Sequence, residues 1–299
     1  MKKNINIHNA KIALSTDSSC TISKELAKKL NINVFPLNVI VDGEEYLDGI
    51  SINQGQLCEY MRGGKVIKTS TPPPAMIVEY FKDLFDKGFD YVIHFTISSK
   101  LSSMFSLFTN ISHDSFDDKV IVIDSYSVCS LMLSHVLYAR ERLNEGIDID
   151  VIVEEIKNRL NDNYVRFIPE NLTALKNGGR ISPAIAALGN LIGLKPVLSL
   201  FEGGLGKDSM TRNTKKSMKE IIDFAVKNYP LEKYDYTIVS FDGNDALLSS
   251  IKDSIKEDTK GLEVKVLPIA INVCAHAGPG TIGFIVSPRI LNHSLNEYL

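Results

Sequence analysis

The 299-residue chain has little net charge: 33 Lys and Arg oppose 36 Asp and Glu, leaving a formal charge of -3. A protein that grips a phosphate backbone needs a basic excess, so nucleic acid is not an expected partner of the chain as a whole. Cysteine is sparse, at Cys20, Cys58, Cys129 and Cys274, with no C-x-x-C. That spacing excludes a disulfide scaffold and fits reduced thiols in a cytoplasmic protein. Six histidines without H-x-H or H-x-x-x-H spacing give no reason to expect a metal, and no cofactor is expected either. Met1 to Ala10 is polar and lacks the apolar stretch of a secretory signal. The longest apolar runs, Ile181 to Val197 and Leu267 to Ala277, are short or broken by Gly, Asn, Lys and Pro. No integral membrane segment is therefore expected, which leaves only transient contact with a membrane surface.

What is present reads as a soluble globular protein, with 44% hydrophobic and 23% charged residues. Short β-branched runs (Lys11–Ser15, Asn33–Val41, Tyr91–Phe95, Val120–Asp124) alternate with helix-period segments (Ser23–Leu30, Pro73–Phe85, Leu131–Asn144). This predicts α/β architecture with a mainly parallel sheet flanked by helices in the first half. The helical pattern Val151–Leu160 ends in Asn161-Asp162-Asn163, which predicts two domains, an N-terminal α/β domain over 11–163 and a C-terminal α/β domain over 164–299. In the second half, Gly203 to Gly206 reads as a glycine-rich connection, Lys215–Asn228 as a basic helix, and Tyr236–Phe241, Val264–Ile269 and Phe284–Ser287 as strands. Hydroxyls before prolines, in Thr69-Ser70-Thr71-Pro72 and Ser182-Pro183, predict helix N-caps.

Several motifs invite chemistry. Gly278-Pro-Gly280-Thr-Ile-Gly283 matches G-x-G-x-x-G as text, but a strand-like Phe284-Ile285-Val286 follows it where a long helix is required, so a dinucleotide is not expected. Its backbone N–H groups, with His276 just before, suggest instead a small anion-binding concavity. Gly206-Lys207 is not a P-loop, since Asp208 follows and Phe201 replaces the first Gly. Lys207, Arg212, Lys215, Lys216 and Lys219 form a local basic cluster, read as a solvated helix face or a surface for an acidic partner. The hydroxyl clusters Thr69-Ser70-Thr71 and Ser98-Ser99-Lys100-Leu101-Ser102-Ser103 each follow an extended segment and precede a helix, where α/β proteins bind ligands. Two readings stay open at this point: a serine-dependent esterase using Ser102 and His276, which lacks a G-x-S-x-G elbow and a nameable acid, and a non-enzymatic small-anion binder.

Taken in order, these segments resemble the DegV family of bacterial fatty-acid-binding proteins, the acyl-carrying subunits of fatty acid kinase systems. The landmarks are Leu14-Ser-Thr-Asp17-Ser18, Thr69-Ser70-Thr71-Pro72, Ser98-Ser99-Lys100-Leu101-Ser102, Asp124-Ser125, Leu175-Lys-Asn-Gly178-Gly179-Arg180-Ile-Ser182 and His276-Ala-Gly278-Pro-Gly280-Thr-Ile-Gly283. The resemblance implies a two-domain fold that holds one long-chain fatty acid in a tunnel, with its carboxyl group near the domain junction. It places Thr69, Ser70 and Ser102 on the carboxylate and His276 in support of Ser102. Arg180, Gly278, Gly280 and Arg212 fall near the head group or on a kinase-facing surface. The implied partner is the kinase catalytic subunit, which converts the bound acid to acyl phosphate for phospholipid synthesis, while this chain performs no catalysis. Two departures from the family pattern stand out: Leu101-Ser102-Ser103-Met104 replaces Leu-Ser-Gly-Thr, and Cys129, Leu131 and Leu133 replace the usual Ser and glycines. Larger side chains at these places are expected to narrow or redirect the tunnel.

Overall fold

The computed structural model describes residues 10–187 and 193–299. The polar start of the chain and residues 188–192 of the apolar run from Ile181 lie outside them. Strands β1 (Ile12–Asp17), β2 (Ile32–Phe35), β6 (Tyr91–Thr96) and β7 (Val120–Asp124) form a sheet in the order β2-β1-β6-β7, parallel throughout. Side chains alternate across a strand. Leu14, Ile93, Phe95 and Ile123 therefore enter one core, under the helices Lys24–Leu30, Cys129–Asn144 and Ile149–Arg159. Ala13, Val92 and Val120 enter another, under Pro74–Asp86 and Met104–Phe116. Strand order reverses between β1 and β6, so their carboxyl ends flank a topological switch point. Asp17 closes this end of the sheet: its carboxyl group accepts from Ser19 N at 2.9 Å and from Ile97 N at 2.7 Å, tying the loop after β1 to the loop after β6.

A second, antiparallel sheet contains β4 (Glu44–Leu47), β3 (Asn38–Val41) and β5 (Ile67–Ser70), in the order β4-β3-β5. The run expected over Asn33–Val41 thus divides between two sheets. Pro36 stands at the division and has no N–H to continue a ladder. Thr69 and Ser70, expected at a helix N-cap, are instead strand residues paired with Val39 and Asn38. The helix Pro74–Asp86 starts on Pro73 without a side-chain cap, although it keeps the expected proline in its first turn.

The third sheet has six strands, β10 (Gly204–Thr211), β9 (Lys195–Phe201), β8 (Tyr164–Ile168), β13 (Thr281–Pro288), β11 (Tyr234–Phe241) and β12 (Val266–Pro268), in that order. All pairings are antiparallel except β11 with β12. The connection expected over Gly203–Gly206 is a two-residue turn, Glu202-Gly203, with φ of 47° and 77°, and β10 begins at Gly204. Positive φ at both positions suits the right-handed twist of the hairpin. Ser98 Oγ donates to the Gly203 carbonyl at 2.7 Å, docking the hairpin on the loop after β6. Helices Thr214–Asn228 and Asp245–Asp258 cover one face of this sheet. Val165, Leu200, Val239 and Ile285 on the other face meet Val39, Leu57 and Leu131, so the two-domain α/β layout closes on a shared apolar junction. Ser182 does cap Pro183–Ala187, accepting from Ile185 N at 3.3 Å. Among the described residues, no helix is long and apolar enough to cross a membrane.

Candidate functional site

At the junction lies a cavity of about 240 Å³. Its walls are mostly apolar, with Leu37, Ile97 and Met104 from the first half and Val165, Leu200 and Ile285 from the second. The volume falls just below the range usual for drug-sized ligands. Of the residues singled out in the sequence, Thr69, Ser70, Ser102, Arg180 and His276 all line it, whereas Gly278, Gly280 and Arg212 do not. The loop after β6 supplies Ser102, strand β5 supplies Thr69 and Ser70, and the helix Ile271–Ala277 supplies His276. The switch-point rule accounts for the first of these positions.

His276 Nε2 lies 2.8 Å from Thr69 Oγ1. The expected support of Ser102 by His276 is thereby corrected, because strand β5 brings Thr69 to the ring. Nδ1 on the opposite side has no hydrogen-bonding partner among the described residues. It approaches Gly178 so closely that a Cβ there would stand 2.1 Å from it. Burial, and then the positive charge of Arg180, lower the His276 pKa to about 4. The ring is thus neutral at neutral pH, with one nitrogen donating and one accepting. Among the described residues, His276 hydrogen-bonds to Thr69 and to neither a carboxylate nor Ser102 Oγ.

Arg180 donates from Nε to the Leu101 carbonyl at 3.1 Å and from Nη1 to the Gly178 carbonyl at 2.5 Å. It therefore braces the loop that carries Ser102 against the segment that admits His276. Burial lowers its pKa. The glycine turn does not form the suggested anion concavity. Gly278 N donates to Cys274 O at 2.9 Å and Gly280 N to Phe241 O at 2.8 Å, and Pro279 has no N–H to offer. Arg212 is exposed just beyond β10. Lys219 pairs with both Asp223 and Asp258 at 2.5 Å, so the basic cluster is partly neutralised. Among the described residues, no group of three or more His, Cys, Asp or Glu converges as metal ligands.

Sequence reasoning missed Asn38 and Asn272, both buried and both lining the cavity. A signal existed for Asn272, which lies four residues before His276 and so shares its helix face. Among the described residues, four polar atoms at this end lack protein partners: Asn38 Oδ1, Ser70 Oγ, Asn272 Oδ1 and His276 Nδ1. Of the departures from the family pattern, Ser103, Met104 and Cys129 line the cavity. Leu131 and Leu133 do not line it and pack into two different hydrophobic cores, Leu131 alongside the cavity-lining Val165, Leu200 and Ile285.

Residues 11–289 match the family described as "Uncharacterised protein, DegV family". A DegV domain-containing protein of Clostridium perfringens is 27% identical over 270 residues, covering 90% of this chain and 95% of that one. A DegV family protein from Thermus thermophilus, described with fatty acid binding, superposes with a TM-score of 0.83 at 29% identity, over 93% of this chain and 99% of that one. The fold is shared at 24% identity with Bacillus subtilis DegV, described as a fatty acid binding protein, with a TM-score of 0.83 over 94% and 100% of the two chains. On a family match that spans nearly its whole length, this chain belongs to the DegV family.

Proposed function

We propose that this protein binds one long-chain fatty acid at the junction of two domains, 11–163 and 164–299, and presents its carboxylate to a fatty acid kinase. The observation that carries this reading is a mostly apolar cavity whose lining also offers Thr69, Ser70, Ser102 and a neutral His276. The fatty acid binding described for the Thermus thermophilus relative supports it. An ionised carboxylate only accepts hydrogen bonds, so the head group needs donors. Ser70 and Ser102 supply O–H groups. With its proton on Nε2, His276 donates to Thr69 Oγ1 and turns the Thr69 O–H toward the acid.

Affinity and orientation divide between the two ends. A chain of roughly 14 methylenes gains about 11 kcal/mol gross on leaving water, at ~0.8 kcal/mol each. Each hydrogen bond to the charged head group contributes about 1.5–3 kcal/mol. Neutral hydroxyl donors leave the carboxylate oxygens nucleophilic toward a phosphoryl donor, whereas a bidentate arginine clamp would occupy both. In this reading the kinase transfers a phosphoryl group from a nucleoside triphosphate to a carboxylate oxygen, the new O–P bond forming as the bond to the departing nucleoside diphosphate breaks; the acyl phosphate then serves phospholipid synthesis, and this chain performs no catalysis. The cytoplasm is the compartment such a partner requires, and the four free cysteines agree with it.

Mass spectrometry of an organic extract of the purified protein tests the proposal. A co-purifying long-chain acid, or saturable binding of added palmitate, is the expected result; neither lipid nor binding would refute it. In a reaction reconstituted with a fatty acid kinase, Ser102→Ala is expected to lower phosphorylation of the bound acid more than its binding, and equal loss of both would contradict the orienting role.

A further inference from the structure

Besides the residues given to the carboxylate, the cavity wall carries two amides. Asn38 is 4% exposed and Asn272 6%, both line the cavity, and neither Oδ1 has a hydrogen-bonding partner among the described residues. A buried carbonyl oxygen without a donor is a cost to the fold that an apolar residue in the same place would not bring. Asn272 is nevertheless held in place. Its Nδ2 donates to Ser19 Oγ at 2.7 Å and its backbone N–H to Asp48 Oδ2 at 3.2 Å, and Asp48 is fixed in turn by Ser18 Oγ at 2.9 Å.

Both amides stand beside the hydroxyl and imidazole end. Asn272 precedes His276 by one helical turn, about 6 Å along the axis. Asn38 lies opposite Ser70 in the β3–β5 ladder, on the same face of that sheet. A carboxylate has no proton to give an amide oxygen, and a methylene chain has no polar atom at all. A hydroxyl gives its proton to either Oδ1 and still accepts a bond at its own oxygen.

We infer that the cavity selects fatty acids bearing a hydroxyl within the first few carbons of the carboxyl group, with Asn272 as the specificity-determining residue and Asn38 beside it. This rests on the fatty-acid reading of the same cavity. The test compares dissociation constants of the purified protein for palmitate, 2-hydroxypalmitate and 3-hydroxypalmitate. One of the hydroxy acids is expected to bind about tenfold more tightly than palmitate. Asn272→Val is expected to bring that ratio close to one, with a cooperative melting transition showing that the variant is folded. If it does not fold, Asn38→Val, expected to reduce the ratio, takes its place. Equal affinity of the unmodified protein for all three acids would overturn the inference and leave fatty acid binding intact. Binding of none of them would instead overturn the fatty-acid reading. A variant that weakened palmitate and hydroxy acid alike would make Asn272 a carboxylate ligand and overturn its role in selection.

Discussion

Gly178→Ala perturbs the site through one methyl group. The new carbon would stand 2.1 Å from His276 Nδ1, 3.0 Å from Cε1 and 3.2 Å from the Ala174 carbonyl oxygen. Uncrowded contacts between heavy atoms lie near 3.5–4.0 Å, so the imidazole must give way by more than about 1 Å. Thr69 Oγ1 already sits 2.8 Å from Nε2, so the ring cannot slide directly away and has to swing aside. Overpacking of this kind costs about 1–3 kcal/mol. The lost Thr69–His276 bond adds about 1 kcal/mol, for a total loss of stability near 2–4 kcal/mol. Binding loses the orientation of one head-group donor, worth about 1.5–3 kcal/mol, which raises the Kd about 10- to 150-fold. It is not abolished, because the acyl chain still transfers from water. Gly179→Ala is the control: φ is +68° there, but no atom lies within 4 Å of the added carbon. That change is expected to cost about 1–2 kcal/mol of stability through the backbone alone, with affinity unchanged. Urea denaturation and titration with a fluorescent fatty acid measure the two effects. A Gly178→Ala protein with unaltered affinity would refute the role assigned to the His276–Thr69 pair.

Ser70→Ala removes a buried hydroxyl that has no protein partner. Stability is expected to stay level or rise by about 1 kcal/mol, while the Kd for a long-chain acid rises about tenfold; unchanged affinity in the same titration would remove Ser70 from the head-group site. The buried carboxyl groups make stability depend on pH. Burial raises Asp17 to about 6 and Asp48 to about 7, so the stability they lend is present below their unfolded value of 3.8 and is lost as pH rises through 6–7. Burial draws His94 and His135 down to about 3 and His276 to about 4; their contribution is present above 6.5 and lost as pH falls through 3–4. Asp48→Asn is therefore expected to stabilise the protein at pH 8 by on the order of 4 kcal/mol and at pH 5, about one unit above the unfolded value, by less than half as much. Urea midpoints at the two pH values decide this, and a gain of equal size at both would contradict it.

The parallel sheet was readable because Tyr91–Thr96 and Val120–Asp124 are short β-branched runs, each preceded by an amphipathic helix, with a period that leaves little choice of structure. Local chemistry carried less in the middle of the chain. Ile32–Phe35 and Asn38–Val41 look like one apolar run, and only Pro36 hints that they join different sheets. The strand Gly204–Thr211 escaped notice because glycine and lysine are poor strand formers. Its pairing with Lys195–Phe201 and the Glu202-Gly203 turn outweigh that propensity. Thr69 and Ser70 line the cavity but form strand β5 and no helix cap; a hydroxyl before proline looks the same in both settings.

The pairing at the heart of the site could not be read locally at all. Thr69 and His276 are 207 positions apart, and the sequence offered Ser102 as an equally reasonable partner for the imidazole. Only the packing of the helix Ile271–Ala277 against β5 decides between them. Other bonds cross the same divide: Ser98 to Gly203, Arg180 to Leu101, Gln54 to Ile269 and Asp48 to Asn272. The polar end of the cavity is therefore not a motif placed on one domain but a consequence of how two halves close. A ligand whose head group joins Thr69 and Ser70 to His276 strengthens that closure directly, because it adds contacts to residues that the chain itself links only through the junction.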